Sequence, residues 1–244
     1  MEAQFDTTAS SLQAIQQQYE TITHNLANVA TAGFKRSRTA FSAMLAERVA
    51  GGPEAAPGAT RVVGSASIDF SQAHLVPTGR RLDAALEGAG FFVVDSPTGP
   101  LYTRNGAFRL SPDRQLVDAA GRAVAGEGGP ITLPGDVAAE EIRIGTDGQV
   151  LAAGKNVGQL RVVEFPDVAA LTPAGEGCFQ AAPGVWPEPA ARTVVRQGFQ
   201  EASNVNMVEE LVGLITVTRL YEANIKSIRT EDERMKTILQ VAMG

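Results

Sequence analysis

The two ends of this 244-residue chain carry apolar stripes at helical spacing, and the stretch between them does not. Phe5, Leu12, Tyr19 and Leu26 recur every seven residues, with Thr8, Ile15, Ile22 and Val29 in a second row beside them. Apolar residues at the a and d positions of a heptad mark a helix that buries a seam against another helix. Near the other end, Leu214, Tyr221, Ile228, Met235 and Ala242 form one row. Leu211, Thr218, Ile225, Asp232 and Leu239 form the other, with Thr218 and Asp232 interrupting it. The C-terminal pattern runs without proline and is longer than an ordinary globular helix. Opposite ends with matching stripes are expected to cover one another. That suits a polymerising structural protein better than an enzyme.

The middle reads as strands and tight turns. A second helical piece is expected from Phe34 through Phe41, Met44 and Leu45 to about Val49. The Gly- and Pro-rich residues 51–58 then read as a linker. From Thr60 the apolar period shortens toward two. Residues 91–94 form a short buried strand, and 101–104 and 107–110 flank Asn105-Gly106 in the strongest hairpin signal of the chain. Ile142–Ile144 and residues 149–151 flank Asp147-Gly148 in a second hairpin. Residues 160–165 and 193–196 are further strands, and 166–189 reads as loop. The expected class is α+β. Long terminal helices form a coiled-coil layer and bracket a central antiparallel β domain. The expected boundaries are a helical segment over 1–50, a linker over 51–59, the β domain over 60–198 and a C-terminal helix over 199–244.

Composition narrows the function. A net charge of −6 and a pI near 5.1 argue against nucleic-acid binding. The run Lys35, Arg36 and Arg38 reads as a solvated face. The single cysteine, Cys178, permits neither an internal disulfide nor a CxxC metal site, and reads as a small buried or loop thiol. His24 and His74 have no catalytic or metal-binding companion in sequence. Gly88-Ala89-Gly90 precedes a strand instead of joining a strand to a helix, so it reads as turn geometry. Gly126-Glu127-Gly128-Gly129-Pro130 lacks the Lys-Ser/Thr of a phosphate loop. No catalytic, cofactor-binding or metal-binding residue is expected, and no small-molecule substrate. No run approaches 18 apolar residues, and the N-terminus lacks the features of a secretory signal. The expected location is the cytosol, or a destination reached without cleavage.

Three segments carry a family resemblance. Asn25-Leu26-Ala27-Asn28-Val29-Ala30-Thr31-Ala32-Gly33-Phe34-Lys35 resembles the N-terminal signature of flagellar rod and hook proteins. Residues 85–94, continued by Tyr102-Thr103-Arg104-Asn105-Gly106-Ala107-Phe108, resemble their shared β core. Gln197-Gly198-Phe199-Gln200-Glu201-Ala202-Ser203-Asn204-Val205-Asn206, with Glu209-Glu210-Leu211, resembles their C-terminal signature. Within the family, the proximal-rod (FlgF) type is favoured over the distal-rod (FlgG) type. The residues behind that preference are 126–134, together with the short chain.

The resemblance implies an axial, non-enzymatic subunit of the bacterial basal body. It would polymerise into a helical tube that transmits torque and conducts exported subunits. Its implied partners are its own copies, other rod proteins and the flagellar type III export apparatus, with no cofactor. The expected assembly interface comprises Leu12, Ile15, Tyr19, Ile22, Asn25, Leu26, Asn28, Val29, Gly33, Phe34, Asn204, Val205, Leu211, Leu214, Tyr221, Ile225, Ile228, Met235 and Leu239. Asn25 and Asn28 are expected to bond across a helix interface, Gly33 to cap the first helix, and Asn204 or Ser203 to cap the last. The rival reading from another class is a ligand-binding β module with helical dimerisation ends.

Overall fold

The structure, a computed structural model, describes residues 2–45, 60–135 and 137–243. The expected linker falls outside them. The fold is α+β, with a helix at each end and antiparallel strands between. The chain divides into two compact units. One comprises residues 1–27, 37–68 and 206–244, and the other comprises residues 28–36 and 69–205.

The first unit holds α1 (Glu2–Ala27), α2 (Met207–Met243) and a two-stranded ribbon of β1 (Ser37–Leu45) and β2 (Thr60–Ile68). The ribbon corrects the helix expected from 34 to about 49. Its register runs from Ser37 opposite Ile68 to Leu45 opposite Thr60. The alternating, β-branched sequence of β2 supplies a long-range partner, which overrides the weak helical spacing of Phe41, Met44 and Leu45. The C-terminal helix also starts later than expected, at Met207, because Phe199–Glu201 is a strand.

The second unit is the β body. It opens with β3 (Leu75–Pro77), β4 (Ala84–Glu87), β5 (Phe91–Ser96) and β6 (Gly99–Thr103). A six-stranded antiparallel sheet runs in the order Leu171–Gly175, Cys178–Ala181, β6, β5, Val162–Glu164, Glu188–Pro189. Central β5 is buried on both faces. Phe92 and Val94 join Leu86, Phe108, Leu116 and Val124 in the main core. On the opposite face Phe91 meets Phe70, Phe165 and Phe179 edge-on. The hairpin about Asp147-Gly148 forms as expected, with Ile144 opposite Val150 and Gly148 at φ +82°.

Two expectations fail in the β body. The stretch 166–189 contains the strands Leu171–Gly175 and Cys178–Ala181, and of the two readings of Cys178 the buried one holds, within a strand. Asn105-Gly106 does not close a two-residue hairpin. Neither residue has the positive φ that such a turn requires. Asn105 Oδ1 instead accepts from Ala107 N at 3.0 Å. Gly106 is glycine for a different reason: a Cβ there would lie 1.6 Å from the Ala84 carbonyl oxygen. The strand after it, Arg109–Leu110, pairs forward with Leu116–Val117.

Candidate assembly interface

In the first unit, α1 meets α2 at a position where α2 has no side chain. A Cβ on Gly213 would lie 3.2 Å from Ile22 Cδ1, and Ile22 is buried. One turn further along α2, Val217 is buried as well. Asn25 holds the C-terminal end of α1. Its Nδ2 donates to Ser37 O at 2.8 Å and to Glu210 Oε1 at 3.3 Å, while its Oδ1 accepts from Ser37 N at 2.9 Å. One buried amide thus acts as a strand edge for β1 and as a polar tie to α2. Asn25 bonds across the helix pair as expected. Asn28 Oδ1 accepts locally from Thr31 Oγ1.

Ile15, Tyr19 and Tyr221 of the expected interface line an open groove with Val217 and Thr218. Tyr19 and Tyr221 remain exposed, and Leu211 is exposed at the start of α2. Leu12, Leu26, Leu214, Ile225 and Ile228 are half-buried. The side chains of Met235 and Leu239 lie outside the described residues. Leu211 of the heptad rows also belongs to an exposed apolar stripe with Val208, Val212 and Ile215, which the rows miss. The stripe is visible in the sequence as a helical repeat at spacings of three and four, sharing only Leu211 with the heptad rows.

The remaining predicted residues belong to the β unit, where the three signature segments converge. Phe34 and Val205 are buried, Val29 is half-buried, and Gly33 sits at φ +67° with its N–H donating to Glu201 O at 2.7 Å. Gly33 lies well beyond the end of α1, so it does not cap that helix as expected. A Cβ there would fall 2.4 Å from Asn105 N, so the glycine permits close backbone approach. Asn204 and Ser203 do not cap α2 either. Asn206 does so, accepting from Val208 N at 3.1 Å, because it directly precedes the first helical residue. Asn204 Oδ1 instead accepts from Arg36 N at 2.7 Å, and its Nδ2 donates to Asp69 O at 2.7 Å. Ser203 Oγ accepts from Val205 N.

Beneath these contacts lies a buried charge cluster, one group from each signature. Glu201 Oε1 accepts from Lys35 Nζ at 2.6 Å and from Ala73 N at 2.9 Å. Its Oε2 is 3.5 Å from Arg104 Nη1. Lys35 also donates to Ser71 O, and Arg104 donates to Gly88 O and lies over the Phe91 ring. The side chains of Lys35 and Glu201 are fully enclosed, which corrects the reading of Lys35 as part of a solvated run. Burial pushes the Lys35 ammonium below its ordinary pKa, and Glu201 opposes that shift. Burial likewise lowers the Arg104 guanidinium against the pull of Glu201. Such a cluster fixes a geometry more than it adds stability, since desolvation offsets much of the attraction.

Among the described residues, no group of three or more His, Cys, Asp or Glu is placed to hold a metal ion. Also among them, no helix is long and apolar enough to cross a membrane. The fold and its buried joint define a class: a helix-flanked β protein whose terminal segments are fastened together by its own signature residues. Three family models match it in sequence order. The flagella basal body rod protein model covers residues 5–35, the flagellar hook protein FlgE/F/G D1 domain covers 85–152, and the flagellar basal body rod FlgEFG protein C-terminal covers 196–241.

The chain is 36% identical to the flagellar basal-body rod protein FlgG of Agrobacterium fabrum, over 92% of this chain and 94% of that one. It is 33% identical to FlgG of Bacillus subtilis, over 95% and 96%. It is 31% identical to the rod protein FlgF of Rhizobium meliloti, over 92% and 90%. The chain belongs to the flagellar basal-body rod protein family, and it is a structural protein, not an enzyme.

Proposed function

We propose that this protein is an axial subunit of the flagellar rod, of the distal type, joined to its own copies through α1 and α2. The observation that carries the reading is the stripe of Val208, Leu211, Val212 and Ile215, exposed along one face of a helix in a family of rod proteins. Contiguous apolar surface of this kind marks an interaction site. The half-buried heptad residues Leu12, Ile15, Leu214, Ile225 and Ile228 supply the rows of a coiled-coil layer. Heterologous contacts of that kind, repeated without closure, generate a helical tube. Such a tube carries torque and leaves an axial channel for exported subunits. Its neighbours are other rod proteins, and it reaches the basal body through the flagellar export apparatus with its N-terminus intact.

Two observations favour the distal type over the proximal type expected from sequence. The FlgG relatives reach 36% and 33% identity, against 31% for the FlgF relative. Three of residues 126–134, which carried the proximal resemblance, are governed by packing. Ile131 and Leu133 are core residues, and a Cβ on Gly126 would lie 2.8 Å from Gly129 O. Such positions report the β fold and not a place along the axis.

Labelling of the protein in purified basal bodies tests the reading. The distal type places the label on the outer part of the rod, next to the hook. Label confined to the inner end restores the proximal type, and absence from basal bodies ends the axial reading. N-terminal sequencing of the incorporated protein checks that nothing was cleaved.

A further inference from the structure

The chain passes between its two units at four places: after Ala27, after Arg36, after Ile68 and after Val205. Crossings that are not tied to each other can give way one at a time. Here three of the four are tied within the β unit, by one side chain. Asn204 Oδ1 accepts from Arg36 N at 2.7 Å, and Nδ2 donates to Asp69 O at 2.7 Å. Asp69 N donates to Arg36 O at 2.9 Å, which closes the ring, and Asn204 N donates to Phe34 O at 3.4 Å. The fourth crossing is reached through successive turns, from Phe34 N to Thr31 O and from Thr31 N to Asn28 O. Asn204 Nδ2 also reaches Ser71 O at 3.2 Å, the same carbonyl that accepts from Lys35 Nζ at 2.7 Å. The ring is therefore continuous with the buried Glu201 cluster.

A planar amide suits this task. It offers an acceptor and two donors at fixed geometry, where aspartate offers acceptors alone and serine cannot span both sides. We infer that Asn204 is a positioning residue that clamps three of the four crossings into one joint, so that twist entering the β unit along any of these is shared by all three. Its use in carrying torque rests on the axial reading above, whereas the clamp itself does not.

Hydrogen exchange on the full chain tests the clamp. Asn204→Ala should speed exchange at the Arg36 and Asp69 amides together, by about tenfold or more, while Val93 and Val94 keep their protection. Asn204→Asp keeps the acceptor for Arg36 and loses the donors, so Arg36 should recover more protection than Asp69. If Asn204→Ala speeds Arg36 alone, the side chain satisfies one donor and clamps nothing. If the alanine variant loses protection at Val93 and Val94 as well, Asn204→Asp carries the same decision.

The torque arm compares swimming speed as medium viscosity is raised. Cells carrying Asn204→Ala should lose speed more steeply than wild type. An unchanged slope overturns the torque-sharing part. Failure of the axial reading looks different: the protein is missing from basal bodies while the exchange pattern stands.

Discussion

Phe91, Phe92, Val93 and Val94 bury their side chains completely or almost so, whereas Val208, Leu211, Val212 and Ile215 leave between 42% and 69% of theirs in solvent. Both runs are apolar, and both sit in regular secondary structure. The first is the centre of a sheet covered on both faces, with aromatic rings above and the main core below. The second is one face of a helix that the described residues leave largely open. The β unit completes its core within one chain. The helix unit leaves apolar residues exposed, and in the proposed rod neighbouring subunits would cover them.

The largest expected effects set that contrast directly. Phe92→Ala removes a fully buried ring that meets Phe108 edge-on at 5.0 Å. It should lower the unfolding free energy by about 3–5 kcal/mol, a large share of a typical domain's stability. Leu211→Asp should change stability by no more than about 0.5 kcal/mol, yet stop incorporation into basal bodies. Urea unfolding of both variants, with immunoblots of purified basal bodies, reads both quantities. Equal losses of stability would mean that α2 belongs to the monomer's own core, and the comparison would collapse.

The two regions also differed in how legible they were in sequence. The terminal helices, the hairpin at Asp147-Gly148 and the buried strand at Phe91 follow from local spacing, and all are present. Gly106, Gly33 and Asn204 were assigned local roles because sequence displays only local neighbours. Their partners are Ala84, Asn105 and Arg36 with Asp69, contacts made across the fold. The ribbon of β1 and β2 was missed for the same reason, since its partner strand lies beyond the Gly/Pro stretch. The charge cluster left one trace: Lys35, Arg104 and Glu201 each sit inside a family signature. Their meeting could not be read from spacing.

A smaller effect is expected at that cluster. Lys35→Met removes one of the two cations that face Glu201 and should cost about 1–3 kcal/mol at neutral pH. The pH dependence has a definite sign. Burial holds Lys35 below its ordinary value of 10.5, so on raising the pH the folded chain releases this proton before the unfolded chain does. The unfolded state then binds more protons, and stability attributable to Lys35 rises with pH up to about its unfolded value. The gap between wild type and Lys35→Met in denaturation midpoint should therefore widen from neutral pH toward 10.5. A narrowing gap would show that attraction to Glu201 outweighs burial.

Cys178→Ser should cost less, about 1–2 kcal/mol, because it puts a hydroxyl among the core residues. Burial also pushes the thiol above its usual range, so the reactive thiolate is scarce in the folded chain. Thiol-labelling rates should track unfolding in urea. Rapid labelling of the native protein would show that the Cys178–Ala181 strand opens locally, making that part of the β unit softer than its burial implies.

The smallest effect probes the helix pair. Glycine inside a helix costs about 0.8–1.0 kcal/mol relative to alanine, so Gly213→Ala gains backbone stability. The added methyl would lie 3.2 Å from Ile22 Cδ1, closer than ordinary contact. That atom ends a flexible side chain, and Ile22 can yield by a few tenths of an ångström only at some loss of packing. The two terms oppose each other at similar size, and the net change should stay within about 0.5 kcal/mol. Gly213→Leu cannot be absorbed in this way and should cost about 1–3 kcal/mol. Chemical denaturation of both variants separates the possibilities. If Gly213→Ala stabilises by the full helix-propensity gain, α1 and α2 are loosely held until neighbours cover them, and the contrast with the β core sharpens. If it costs more than about 1 kcal/mol, the helix contact is as unforgiving as the packing around Phe92, and the contrast is confined to the exposed stripe.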